Sequence, residues 1–423
     1  MMAHATRLDA PPFRTGFYFG WIQVVVAALA MVATFPGRTQ GLGLVTEPLL
    51  ADLHLDAVTY ASIHLWATLV GALFAPAAGL ALDRFGSRSV LTFLSLSLGA
   101  VVAAMSAARS VPVLAVLVLL TRGLGQSALS AASITLVGQW FRRRLPTAMA
   151  AYSLLLSIGF MAAFPAVEFL VRRDGWRPAW FAVGVGVALL APVAFALVRR
   201  SADSVGLDEG GAPEPADNRD DLTLRQALGT PAFWIVGIAS SLYLLVASGI
   251  GLFNERILAE LGFGREVFVQ CLILSAMTGL AGNFLGGWLA GRCPARHLLA
   301  GSMALLAAGL AALPHLHSRP AVYAQAVVMG VAGGLLTVVF FAFWGREYGR
   351  LHLGRIQGAA QAMTVVGSAL GPLALAQCHA ILGSHAPLFR LLALVVAVVA
   401  VLAWRMPPVR GTPFASTSSS ACP

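Results

Sequence analysis

The sequence predicts an all-α membrane protein with twelve transmembrane helices in two pseudo-symmetric six-helix bundles. Two observations carry this. First, apolar runs of spanning length recur from end to end: 58% of the 423 residues are hydrophobic, only 11% are charged, and mean hydropathy is +0.80. A spanning helix needs roughly 20 mostly apolar residues. Second, the chain repeats itself at a constant shift of 208 positions. Gly79, Arg84 and Arg88 of GLALDRFGSR return as Gly287, Arg292 and Arg296 of GWLAGRCPAR. Glu47 and Asp52 of VTEPLLADL return as Glu255 and Glu260 of FNERILAEL, and Gly125 and Gly159 return as Gly333 and Gly367. A duplicated membrane unit places its working site at the seam between the halves, as secondary transporters do.

The first unit, residues 1–198, holds six spans. The first (17–49) is unusually long, and Pro36-Gly37 predicts a break in it just ahead of Arg38. The second (58–82) carries His64, and the third is 89–107. The fourth (112–138) carries Arg122 near its middle. The fifth (147–171) contains Gly159 and Pro165, which a span tolerates when neighbouring helices re-satisfy the backbone. The sixth is 178–198. Residues 199–230 form a linker, where Asp203, Asp208, Glu209, Glu214, Asp217, Asp220 and Asp221 lie among Gly and Pro. Its segment 222–228 reads as a short amphipathic helix leading into the second unit, 231–405. The remaining spans are 231–260, 266–290, 297–314, 320–344, 355–381 and 387–404. Residues 406–423 end in a Ser-rich stretch that reads as a disordered cytoplasmic tail.

The net charge of +10 comes entirely from arginine, since the chain has no lysine. With the N-terminus in the cytoplasm, most arginines fall on the inner side, among them Arg84, Arg88, Arg142, Arg143, Arg144, Arg292, Arg296 and Arg346. That bias follows the positive-inside rule and places both termini in the cytoplasm. The basic excess is therefore a topology signal, and no nucleic-acid partner is expected. The first apolar run is of full span length and reads as a retained anchor in the cytoplasmic (inner) membrane. Cys271, Cys293, Cys378 and Cys422 show no metal or redox spacing. No cofactor and no metal site are expected, and the chain reads as a monomer.

On the turn after the second span, Gly79-x-x-x-Asp83-Arg84-x-Gly86-x-Arg88 closely resembles the signature loop of the major facilitator superfamily. The resemblance implies two six-helix bundles around a central cavity, with this loop as an inner gate. Physically, Gly79 would allow close helix packing, and Gly86 a tight turn. Asp83 would sit at another helix's N-terminus, near Arg355. Arg84 and Arg88 would anchor to lipid headgroups or acidic groups. Ser87 departs from the family, which usually has a basic residue there, and Gly291 replaces the aspartate in the second copy. Arg122-Gly123-Leu124-Gly125-Gln126 resembles the family's second motif, an arginine facing the cavity. QWFRRR (Gln139 to Arg144), GWRPAW (Gly175 to Trp180) and Phe35-Pro36-Gly37-x-Thr39 resemble the monocarboxylate and oxalate/formate carrier branch. The oxalate carriers hold substrate with a lysine in the eleventh span, a device this chain lacks.

An ionisable group at mid-bilayer costs ~2.5–3.5 kcal/mol on insertion scales, so its presence is a functional hypothesis. Arg38 and Arg122 offer planar forks suited to a carboxylate, and no acid lies at comparable depth. They mark an anion site, with Asn283 and Gln361 as further substrate contacts. The bland alternatives are that Arg38 snorkels to headgroups and that Arg122 is a structural hydrogen bonder. Glu47 and Glu255 are candidates for proton coupling, or simply interfacial residues, with Glu255 paired to Arg256. Glu168 reads the same way, and His64 and His379 as titrating groups or packing residues. Trp66, Phe340, Phe341 and Trp344 line a pathway or pack. The expected function is secondary transport of a small organic anion such as a monocarboxylate, with a co-transported proton as candidate partner. Efflux of a metabolite or drug is the alternative. A membrane-embedded enzyme is the distant one, because neither His-Glu-x-x-His nor Gly-x-Ser-x-Gly occurs.

Overall fold

The computed structural model describes residues 19–141, 145–199, 222–349, 353–407 and 409. The acidic centre of the linker, the tail beyond 409 and the side chains of Asp83 and Arg355 lie outside them, so the expectations resting on these groups find no counterpart here.

Twelve helices are long and apolar enough to cross a membrane: α1 Gly20–Asp52, α2 Ala57–Leu82, α3 Arg84–Met105, α4 Val111–Trp140, α5 Thr147–Asp174, α6 Trp176–Leu197, α7 Pro231–Glu260, α8 Arg265–Ala290, α9 Ala295–His315, α10 Arg319–Glu347, α11 Ile356–Leu382 and α12 Ala386–Trp404. No strand is present among the described residues. Because the number of crossings is even, residues 19 and 407 share a face, and the linker joins on that face too. The expected linker helix is present as Leu224–Leu228, capped reciprocally by Thr223 and Gln226.

Packing inside the two halves follows one plan. In the first, α1 packs on α5, α2 on α4 and α3 on α6; in the second, α7 packs on α11, α8 on α10 and α9 on α12. The repeat glycines sit at matching places in this plan. A β-carbon on Gly159 would strike Val32 of α1, and one on Gly367 would strike the Ser241 carbonyl of α7. In lipid, where apolar helices gain little by leaving solvent, such close approach is the main source of helix affinity. The halves meet along α1 and α7, α2 and α11, and α5 and α8. The second and third of these pairs exchange roles under the repeat.

The repeat mates α1 and α7 are both broken, each in its own way. The expected interruption of α1 is a 3-10 turn at Phe35–Gly37, after which Arg38 is extended (φ −91°, ψ 151°) and a new helix starts at Thr39. In α7 the backbone kinks at Phe253 (φ −115°, ψ 15°) instead.

Candidate functional site

Arg38 sits at the break of α1, half-buried, and its side chain turns back into its own bundle. Nε donates to Thr34 Oγ1 at 2.9 Å, and Nη2 lies 2.8 Å from Met31 Sδ and 3.4 Å from Ser130 Oγ. The guanidinium stands 5.1 Å from the Phe160 ring centroid. These contacts draw the guanidinium inside the first bundle, towards α4 and α5. Arg122 lies where α4 widens into a π-helical stretch, Arg122–Leu129, and is only 1% exposed. The expectation that it faces a cavity is corrected: the unwound backbone of α1 covers it. Its Nη1 reaches the Gly37 carbonyl and Thr39 Oγ1 at 3.4 Å each, while Nε and Nη2 have no hydrogen-bond partner. Both ring nitrogens of His64, fully buried nearby on α2, are likewise unpartnered. Arg122 is thus bonded to the residues on either side of Arg38, so both arginines meet the same short break of α1. Among the described residues neither forms an ion pair. The helix beginning at Thr39 has no side-chain cap, so its positive end adds to both charges. The arrangement places two arginines and an uncapped helix start in the N-terminal half, with no carboxylate paired to either arginine among the described residues.

The other polar candidates are dispersed. Asn283 is half-buried where α8 meets α10, its Oδ1 unpartnered, and Gln361 is exposed on α11. Phe340 and Trp344 are packed, whereas Trp66 and Phe341 are each 62% exposed.

At the face opposite the termini, acidic and basic groups join the halves. Glu47 pairs with Arg256 at 2.9 Å, and Glu255 pairs with Arg265 at 2.7 Å. The expected Glu255–Arg256 pair is therefore replaced by two crossed pairs, because adjacent helical residues do not face each other. Arg265 also donates to Glu168 at 2.7 Å and to the Leu44 carbonyl at 2.7 Å. Glu168, only 5% exposed, further holds Arg172 at 2.7 Å. Arg265 was not singled out by the sequence; its place as the first residue of α8, opposite a span carrying Glu168, was the signal.

At the other face, the chain kinks at Gly86 in the first turn of α3 (φ 77°, ψ 159°), a conformation open to glycine. Gly79 has no atom within 4 Å of a β-carbon position, so it does not serve close packing. Arg88 stacks on the Phe195 ring at 4.0 Å, and Arg84 lies 5.4 Å from the Phe85 ring centroid. Among the described residues both lean on aromatic rings. Ser87, buried, donates to Gln139 Oε1 of α4 at 2.6 Å, fastening the loop where the family places a basic residue.

The Major Facilitator Superfamily profile matches the sequence over residues 26–279 and 252–420. No curated relative matches it. Among solved structures, the fold is similar to a bacterial homolog of the human lysosomal transporter Spinster. In its inward-facing unoccupied conformation the TM-score is 0.65 at 15% identity, covering 92% of this chain and 96% of that one. In the inward-facing occupied conformation it is 0.68 at 14% identity, covering 94% and 99%.

Proposed function

Because the chain belongs to the Major Facilitator Superfamily, a family of secondary transporters, we propose that it carries a small organic anion, such as a monocarboxylate, across the cytoplasmic membrane by alternating access. The observation behind this reading is the pair Arg38 and Arg122, held inside the bundle with no carboxylate beside them. A buried charge is kept only when something neutralises it. Here the substrate's own carboxylate supplies the counter-charge: Arg38 contacts it through its planar fork, and Arg122 and the uncapped helix end at Thr39 add field from behind. Asn283 and Gln361 are the proposed contacts from the second half. The short motifs shared with monocarboxylate and oxalate/formate carriers support this choice of substrate.

The termini and linker are proposed to be cytoplasmic, which makes the Glu47–Arg256 and Glu168–Arg265 face the outer one. Ion pairs span that face here, which on this reading makes the arrangement inward-facing. The Gly79–Arg88 loop, with Asp83, is the proposed gate for the opposite state. Glu47 and Glu255 are the proposed proton-coupling groups, since protonating either would dissolve an ion pair of the closed face.

The test is uptake and efflux of labelled organic acids by the reconstituted protein, with and without an imposed pH gradient. Saturable carboxylate transport that depends on Arg38 is the expected result. Transport of neutral or cationic solutes alone would sink the anion reading while leaving alternating access intact.

A further inference from the structure

We propose that Glu260, His379 and His385 form a binding site for a transition-metal cation of the zinc class. The site lies on the second half, at the face where α7 and α11 end and α12 begins. It does not depend on the substrate reading above.

Three separate stretches deliver the donors: the last residue of α7, the final turn of α11, and the residue preceding α12. All three donor atoms lie within 4.8 Å of one another. His379 Nε2 is 3.0 Å from Glu260 Oε1, and His385 Nδ1 is 2.9 Å from the same oxygen. The two rings stand 4.8 Å apart, inclined by 34°. Zinc bonds nitrogen and carboxylate oxygen at ~2.0–2.2 Å, which puts neighbouring donors of a tetrahedral site about 3.3 Å apart. To reach that geometry the two oxygen–nitrogen distances open by a few tenths of an ångström, while the two imidazole nitrogens, within 4.8 Å of each other, close by up to about 1.5 Å through side-chain rotation. His385 is buried and fixes one corner, while the exposed Glu260 leaves a coordination position open to solvent. Arg256, one turn before Glu260, is already neutralised by Glu47 and does not repel the cation unopposed. Two imidazoles and one carboxylate suit zinc, cobalt or nickel, not calcium or magnesium, which prefer all-oxygen shells.

The duplication supplies an independent comparison. The repeat mate of Glu260 is Asp52, and that of His385 is Arg177. In the first half these form a fixed ion pair: Arg177 Nε lies 2.8 Å from Asp52 Oδ2, which also accepts from Trp176 Nε1 at 3.1 Å. The same junction, end of the first helix to start of the sixth, thus exists in both halves. In the second half the arginine, always protonated and unable to ligate metal, is replaced by an imidazole. A second imidazole, His379, stands where the first half has Val171. Both changes convert a permanent charge pair into a set of metal donors.

The experiment uses full-length protein without a histidine tag, titrated with Zn²⁺ against a chromophoric chelator and with Co²⁺ followed by visible absorption. Wild type should bind one equivalent and show the d–d bands of a four- or five-coordinate cobalt site. His379→Ala, at a partly exposed position, should lose affinity about 10- to 100-fold, with the bands. His317→Ala, on an exposed loop at the same face, should keep both. Melting temperatures without metal establish that the variants are folded. Zn²⁺ affinity and cobalt bands unchanged in folded His379→Ala would overturn the proposal, as would wild type binding no zinc.

Discussion

Gly43 and Gly251 are repeat mates, and they touch each other. They meet where α1 crosses α7, so the pseudo-two-fold axis of the duplicated chain passes between two residues that occupy the same position in each copy. Contact of like with like is what a two-fold interface requires. The meeting is nevertheless uneven. A β-carbon on Gly43 would collide with the Gly251 carbonyl, whereas one on Gly251 would meet only the flexible Gln40 side chain, at 3.3 Å.

That difference orders three alanine substitutions. Gly43→Ala should be the most damaging, costing about 1–3 kcal/mol through a displaced helix crossing. Gly251→Ala should cost less, and Gly79→Ala should lower the melting temperature least. Thermal denaturation in detergent ranks them, and a Gly79→Ala variant less stable than Gly43→Ala would break the packing account.

Arg265 ties Glu168 of the first half to Glu255 of its own. Charge-assisted hydrogen bonds of this kind contribute roughly 1.5–3 kcal/mol. Arg265→Gln should therefore shift the equilibrium towards the state open at the Glu47 face by about 10- to 150-fold. Labelling of single cysteines introduced along α1 and α7 reads this directly. Unchanged labelling would show that packing alone holds this face shut.

Arg38→Gln should weaken binding of a carboxylate substrate by about 10- to 150-fold at normal protein levels, with Arg38→Lys restoring part of the loss. Substrate-dependent quenching or equilibrium dialysis measures it.

Arg122 makes a more unusual prediction. Replacing a buried, under-partnered charge by an apolar side chain of similar length is often neutral or stabilising. Arg122→Met should hold or raise the melting temperature of substrate-free protein while abolishing transport. A variant that fails to fold would reassign Arg122 to structure.

The spans, the break of α1 and the linker helix were legible because each rests on local chemistry: apolar length, Pro36-Gly37, and Thr223 with Gln226 three residues on. The repeat was legible because glycines and charges survive where side-chain bulk or sign is constrained. Partnerships were not. Glu255 and Arg256 look paired in one dimension, yet consecutive helical residues diverge by about 100°, and each finds its partner elsewhere. Nor could the sequence show that Gly79 faces open space or that Arg122 is sealed behind Gly37 and Thr39, since both depend on how far apart two helices lie. His385, not singled out from the sequence, became visible only beside Glu260.

The breaks in α1 and α7 fall at different depths. Phe35–Gly37 has as its repeat mate the stretch 243–245, within unbroken helix, and Phe253 has Val45, also within unbroken helix. The copies have therefore divided the labour. In α1 the irregular backbone lies beside Arg38 and Arg122; α7 instead bends near the face that the ion pairs of Glu47 and Glu255 span. Substitutions in the first half should then register mainly in affinity and those along the α7 kink mainly in turnover, a separation that an exact duplicate could not support.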